Sequence, residues 1–398
     1  MQGHSASINR SRRQNFFLIL ILGALNVLTP FSIDMYLPAF PRIAKDLNTT
    51  ISNVALTLST YFFGFALGQI FYGPLLDRFG RKPPLFIGLF FYIIASVGCI
   101  SFHSIEAMLF IRFAQAFSGC VASVAAMAMV RDFFPVDESS RIISLMILIL
   151  GVSPMLAPSI GSFLVTAWGW HFVFVLLSLI ALVMLLVVFW FLPEGHQADP
   201  SLSLKPKSIL SGFKIILAEP KFYVFTLAGS LSFAGLFVYV TSSPAIFMNG
   251  FHLSAKTYSF IFAFLSVSFI GGSQLNHVLA RKYQNEKIFK TTLIFQVLVS
   301  ILFLLGELSS WDGLAAVLVF LFIFLFCTGL GFPNAAAVAL SPFSKNAGAA
   351  SALLGFIQIG IGGLISAGIG LIAIKGSLAA AMMMAISSSA GLAVLLAF

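Results

Sequence analysis

Charge is what this chain has least of. Asp, Glu, Lys and Arg together make up 9% of its 398 residues, against about a quarter in soluble domains. With 59% of residues hydrophobic, 45 of them Phe, no soluble fold of this length could hide its apolar surface. Cysteine is scarce too. Cys99, Cys120 and Cys327 fall inside apolar stretches without metal or redox spacing, which excludes a disulfide frame or a zinc module and leaves small buried packing residues. No Gly-x-x-x-x-Gly-Lys-Ser/Thr loop is present to cradle nucleotide phosphates, so uphill work would have to draw on an ion gradient. His4, His103, His171, His196, His252 and His277 are scattered along the chain. A membrane-embedded enzyme would need them clustered, so neither an enzyme nor a metal or cofactor site is expected.

What the chain does have is apolar runs of bilayer-crossing length. Twelve stretches of about 20 residues occur at 16–39, 52–76, 84–104, 107–130, 141–165, 170–192, 222–248, 257–279, 288–307, 312–339, 347–371 and 376–397. They are numbered spans 1 to 12 here. The formal charge of +9 would suggest nucleic acid if the bases were clustered, but they follow the spans instead. With the N-terminus cytoplasmic, seventeen Lys and Arg fall inside, four (Arg42, Lys45, Lys256, Lys375) fall outside, and Arg112 lies within span 4. This positive-inside bias predicts an all-α membrane protein of twelve transmembrane helices, both termini cytoplasmic, with the lipid bilayer and not nucleic acid as its surroundings. Ser11-Arg12-Arg13 ahead of Phe16-Phe17-Leu18 reads as the basic flank of a retained first helix and not as a cleaved targeting signal.

Pro and charge recur from Pro193 to Lys221, too often for a span. The expected organisation is therefore a six-helix bundle over 1–192, a cytoplasmic linker over 193–221 and a second six-helix bundle over 222–398. An internal echo supports duplication: Gly272 and Asn276 repeat the spacing of Gly73 and Asp77, and Arg281-Lys282 follow with one residue inserted.

Of the 13 acidic residues, twelve lie in loops or at helix ends, and Asp34 is the exception, well within a span. An ionisable group there is expensive and marks a functional candidate whose partner should be named. That partner is Arg112. Asp34 is roughly 27 Å up span 1 and Arg112 roughly 8 Å below the outer end of span 4, so both lie in the outer third and are expected to face one another or one cavity. Either a proton site or a static ion pair fits. Arg112, Gln115, Gly119 and Ser123 continue one helical stripe, read as cavity lining or as small-residue packing. Thr60, Gly64 and Gly68 read as packing. Further cavity candidates are Asn26, Tyr36, Tyr239 beside Ser242-Ser243-Pro244, Asn334 and Gln358. Phe233, Phe237, Phe262 and Phe264 could wall the cavity or equally pack elsewhere. In span 5, Gly151, Pro154, Pro158 and Gly161 describe a bent helix that admits close neighbours.

The loop between spans 2 and 3 holds Gly73, Leu75, Asp77, Arg78, Gly80, Arg81 and Lys82. A topogenic role accounts for its bases but not for Asp77 and the two glycines. Asp77 is expected to latch onto a cation or helix N-terminus nearby, with Arg131 and the start of span 11 near Asn346 as partners.

This loop resembles the signature loop of the major facilitator superfamily. Taken in order, Asp34-Met35-Tyr36-Leu37-Pro38-Ala39-Phe40-Pro41, the Gly73 to Lys82 loop, Arg112-x-x-Gln115, Pro154-x-x-Ala157-Pro158-x-x-Gly161, Phe332-Pro333-Asn334-Ala335 and Gly348-Ala349-Ala350-Ser351-Ala352-Leu353-Leu354-Gly355 resemble the drug:proton antiporters of the bicyclomycin and chloramphenicol resistance group. The resemblance implies a bacterial inner-membrane antiporter with Asp34 and Arg112 in proton coupling and Asp77, Arg78 and Arg81 in the cytoplasmic gate. It also implies alternating access with small drugs as substrates and protons as the exchanged ion; separately, a monomer is expected. Two departures stand out: Ala116 and Ser118 replace glycines of the span 4 motif, and Ala157-Pro158 with Gly161-Ser162 replace Gly-Pro and Gly-Gly in span 5. A proton-driven metabolite exporter is the alternative function. A channel fits paired repeats with a latch less well.

Overall fold

The computed structural model describes residues 12–134, 136–195, 198–201, 204, 206–309, 313–343, 347–371 and 376–398. These are helical, and no strand occurs among the described residues. The helices are α1 (Arg12–Asp34), α2 (Phe40–Asp46), α3 (Ile51–Phe79), α4 (Lys82–Ser101), α5 (Ile105–Phe133), α6 (Val136–Ala167), α7 (His171–Phe191), α8 (Pro206–Leu217), α9 (Pro220–Pro244), α10 (Ala255–Leu279), α11 (Asn285–Leu308), α12 (Leu314–Leu340), α13 (Ala347–Leu371) and α14 (Ser377–Leu396). Among the described residues, 11 helices are long and apolar enough to cross a bilayer. The remaining expected span belongs to α6, a 32-residue helix whose Gly151–Ala167 part is a shorter apolar segment.

Two elements depart from the runs read in the sequence. Span 1 was expected to continue to residue 39, but α1 stops at Asp34 and passes through a 3-10 turn, Leu37–Ala39, into α2. The cause is Pro38, which has no N–H to donate to the Asp34 carbonyl, so the i to i−4 ladder ends there. The linker, in turn, contains the twelve-residue helix α8.

Helix starts follow from local chemistry. Thr50, Ser104 and Ser254 cap α3, α5 and α10, their hydroxyls accepting from the N–H groups of Asn53, Ala107 and Thr257 at 3.2, 3.2 and 3.1 Å. Each such cap contributes about 1 kcal/mol.

Small residues set how closely the helices pack. A Cβ on Gly64 of α3 would lie 2.3 Å from the Phe113 carbonyl oxygen of α5, and one on Gly68 2.6 Å from Cys120 Cβ. The Gly64 and Gly68 stripe is thus a packing surface, as read. The α10/α12 pair repeats the device: Gly272 abuts the Phe326 carbonyl and Gly329 the Phe269 carbonyl, at 2.1 and 2.0 Å from a built Cβ. Without a hydrophobic force between helices in lipid, such close approach is a main source of association.

Two seams join the first seven helices to the later ones. Along α3 and α13, the Ser59 and Ser366 hydroxyls share a hydrogen bond of 3.0 Å, and a Cβ on Gly355 would lie 2.9 Å from Gln69 Oε1. Along α6 and α10, the Ser259 hydroxyl donates to the Pro158 carbonyl at 2.9 Å, and Gly151 faces Ile270.

Candidate functional site

Asp34 is the last residue of α1 and is buried. The turn after it is clamped by α6, because the Met35 carbonyl oxygen lies 2.2 Å from where a Gly161 Cβ would stand. Gly161 is therefore required as glycine by close approach. The 3-10 turn beyond packs on both α9 and α10, the helices that carry Tyr239 and Tyr258. The Tyr258 hydroxyl shares a 2.9 Å hydrogen bond with Ser243. The Tyr239 ring stacks on Phe262 with centroids 5.3 Å apart, and its buried hydroxyl has no hydrogen-bond partner among the described residues.

Arg112 of α5 is fully buried and points elsewhere. Its guanidinium donates to the Ser32 backbone carbonyl at 3.0 Å and to Gln115 Oε1 at 2.5 Å. Gln115 in turn donates to the Ser96 hydroxyl of α4 at 2.7 Å, and the Ser32 and Tyr92 hydroxyls share a hydrogen bond of 2.6 Å. The rings of Tyr36 and Tyr61 flank the guanidinium, with centroids 4.6 and 4.3 Å from its carbon. Cation–π contact at a desolvated site contributes about 2 kcal/mol or more, which helps a cation to stand here without a carboxylate.

Of the two arrangements expected for Asp34 and Arg112, the direct pair is not seen: among the described residues no ion pair joins them. The reason is angular. Ser32 and Asp34 are two residues apart, about 200° around a helix of 3.6 residues per turn, so when Ser32 faces the interior of the first seven helices, Asp34 faces the seam.

The remaining candidates divide. Tyr36 joins the Arg112 cluster and bonds Thr57 at 3.0 Å. Gly119 is a packing position, its built Cβ falling 2.7 Å from the Tyr92 ring, and the Ser123 hydroxyl turns back to the Cys120 carbonyl at 3.0 Å. Asn26 is buried, its Nδ2 without a hydrogen-bond partner among the described residues, and Gln358 is buried on α13. Asn334 donates to Asn276 Oδ1 at 2.7 Å, so it serves the echo of the loop motif. Phe264 is exposed, consistent with a packing or lipid-facing role. Phe237 crosses the seam to Phe62, centroids 4.5 Å apart.

The loop motif folds onto its own half. Arg81 donates to Asp77 at 2.6 Å and to both carboxylate oxygens of Asp132 at 2.8 and 3.4 Å. Burial works against the Arg81 charge, but the hydrogen bonds to Asp132 and Asp77 outweigh it, and the Arg81 pKa stands above its usual value. Glu194 accepts from the backbone N–H groups of Arg81 and Lys82 at 2.6 and 3.2 Å. Gly80 takes φ 84°, a turn that favours glycine. Arg78 lies beside the Phe79 ring. Arg131, expected as the partner of Asp77, is exposed, and its neighbour Asp132 occupies the inward position instead. Asn346 lies outside the described residues. Nothing would meet a Cβ at Gly73 within 4 Å.

Asp132, Glu194, Tyr61 and Tyr92 were not singled out in the sequence. Asp132 and Glu194 stood among the helix-end acids, and only the Arg131-Asp132 and Pro193-Glu194 adjacencies hinted at them. The tyrosines carried no signal in an aromatic-rich chain.

Residues 22–367 match the model of the Major Facilitator Superfamily. The chain is 31% identical over 376 residues to the bicyclomycin resistance protein homolog of Haemophilus influenzae, covering 94% of this chain and 91% of that protein. It is 30% identical over 347 residues to the multidrug resistance protein MdtL of Escherichia coli, covering 84% of each. A crystal structure of a bacterial homolog to the human lysosomal transporter Spinster, inward-facing and unoccupied, shares the fold with a TM-score of 0.70 at 16% identity, covering 98% of this chain and 96% of that one. The chain is therefore a member of the Major Facilitator Superfamily, in the group of the bicyclomycin resistance proteins, a multi-pass transporter of the bacterial inner membrane and not an enzyme.

Proposed function

We propose that this protein is a proton-coupled antiporter that exports small amphipathic drugs by alternating access, as a monomer with both termini cytoplasmic. Residues 1–192 and 222–398 are the two bundles that rock, and 193–221 is the cytoplasmic linker. The names of the relatives, a bicyclomycin resistance homolog and a multidrug resistance protein, support drugs as the cargo.

The observation that carries the coupling is Asp34. Asp34 is buried, has no cation paired with it among the described residues, and lies just before the 3-10 turn that packs on α9 and α10. A carboxyl there carries its charge at a cost unless the opposite bundle supplies donors. Gain or loss of a proton on Asp34 thus alters how well the bundles hold together on that side, which is the link an antiporter needs.

One inward proton supplies about 1.4 kcal/mol per pH unit and about 2.3 kcal/mol per 100 mV. A neutral compound exchanged for one proton draws on both contributions, whereas a monovalent cation draws on the pH contribution alone. Neutral or weakly charged compounds are therefore the favoured cargo.

The test uses purified protein in proteoliposomes with a panel of drugs, bicyclomycin included, and a panel of amino acids and sugars. Proton release on adding a drug supports the proposal. Release elicited by a metabolite alone would reassign the cargo, and transport that runs on without a proton gradient would remove the coupling.

A further inference from the structure

Helix α8 lies between the two halves in sequence, and α9 follows it after only Ala218 and Glu219. Because α9 opens a membrane-spanning segment at Pro220, α8 lies at the edge of the bilayer. Phe213 and Ile216, 9% and 1% exposed, tie it to the cluster formed by α9, α11, α12 and α13. Among the described side chains, Leu210 and Leu217 stay outside at 61% and 43% exposed, and Ile215, 68% exposed, lies about 140° round the helix from Leu210. Leu210 and Leu217 are seven residues apart and share a stripe, as do the exposed Lys207 and Lys214 beside them. No acidic residue occurs between Asp199 and Glu219.

We infer that α8 is an interfacial helix that docks on anionic phospholipid of the inner leaflet. Leu210 and Leu217 enter the acyl boundary, and Lys207 and Lys214 bind the headgroup phosphates. Three features select this occupant. The helix is amphipathic and short, with an apolar face that water would penalise. Its bases stand next to that face at the depth of the phosphates and attract the negative surface of the leaflet. One flank is already pinned to the transmembrane helices, so little freedom is lost on docking. The choice of the inner leaflet rests on the orientation proposed above; the contact of α8 with lipid does not. Because α8 also touches α13, which lines the seam with α3, lipid bound here bears on a helix that must move.

The test uses the full chain in nanodiscs of phosphatidylcholine alone or mixed with phosphatidylglycerol. Leu210→Cys carries an environment-sensitive fluorophore; the native cysteines are buried. The expected result is quenching by brominated acyl chains, protection from aqueous iodide, and stronger protection when phosphatidylglycerol is present. Lys207→Gln with Lys214→Gln, both at exposed positions that folding tolerates, should lower the enrichment of phosphatidylglycerol in co-purified lipid by about tenfold. Iodide quenching without brominated-lipid quenching would overturn the inference. Equal lipid enrichment in wild type and the double variant would also overturn it, as would protection of the label that rises with protein concentration in detergent, the sign of a second copy on this face. Absence of drug-induced proton release from the wild-type chain, with the label still in lipid, would count against the antiporter reading alone.

Discussion

Arg112 donates to the backbone carbonyl of Ser32 at 3.0 Å, while Asp34, two residues on, stands about 200° further round α1, just before the turn that packs on α9 and α10. The two membrane charges are thus held by different halves of the molecule's polar chemistry. Arg112 belongs to a network of Ser32, Tyr92, Ser96 and Gln115 in which its Nε has no hydrogen-bond partner among the described residues, and Asp34 stands outside it. Their stability and coupling effects should therefore separate.

Replacing Arg112 tests the network. Arg112→Lys keeps the charge, but a lysine cannot span Ser32 and Gln115 with one planar fork or lie as favourably between the Tyr36 and Tyr61 rings. A loss of about 2 kcal/mol is expected from one charge-assisted hydrogen bond and part of the cation–π contact. Arg112→Ala should cost more, about 3–5 kcal/mol, comparable to breaking a buried charged contact. Thermal melts in detergent check both, and a melt of Arg112→Lys at the wild-type temperature would contradict the network account.

Asp34→Asn should act the other way round. The carboxylate has no ion pair to lose among the described residues, and removing a buried charge relieves desolvation, so melting should be unchanged or slightly raised. Substrate-induced proton release should vanish, and residual transport should no longer respond to pH. Full proton release from the Asn variant in proteoliposomes would end the assignment of Asp34 as the coupling site.

Much of this architecture was legible because the bilayer demands it. Apolar runs, positive-inside bias and the polar stretch from Pro193 give the spans and their order, since lipid penalises every exception. Gly64 and Gly68 could be read as packing for the same reason. Orientation around a helix axis was less legible, because a difference of two residues between Ser32 and Asp34 reverses the side they face. The same holds at the loop, where one position separates the exposed Arg131 from the inward Asp132. Helix α8 was missed because its polar and proline-flanked composition hides a register that shows only once Phe213 and Ile216 are seen buried.

The glycines offer a paired prediction. Gly161→Ala forces a Cβ to 2.2 Å from the Met35 carbonyl and Gly272→Ala to 2.1 Å from that of Phe326, and backbone cannot yield as a side-chain tip can. Each should cost about 1–3 kcal/mol, and the first should also impair transport because it displaces the turn after Asp34. Gly73→Ala meets nothing within 4 Å and lies in helix α3, where alanine is the better helix former. Its melt should match or exceed that of wild type, and a loss comparable to Gly161→Ala would mean that the loop packs against something in the resting protein.

The final prediction ranks the acids of the loop. Asp77 and Arg81 form an i,i+4 pair whose carboxylate side chain is 53% exposed, and such pairs contribute about 0.3–0.5 kcal/mol. Asp132 is 14% exposed and receives both the Nε and an Nη of Arg81, a bidentate contact in a drier site. Asp132→Ala should therefore destabilise by about 3 kcal/mol, leaving Arg81 buried with a half-exposed partner, whereas Asp77→Ala should stay within about 0.5 kcal/mol. Accessibility of a cysteine placed at the inner end of α3 should shift more in the Asp132 variant, because Arg81 then loses its tie to α5. The reverse order in the melts would show that Asp77 makes its main contact in another conformation, and would favour the start of span 11, one of the two partners read from the sequence.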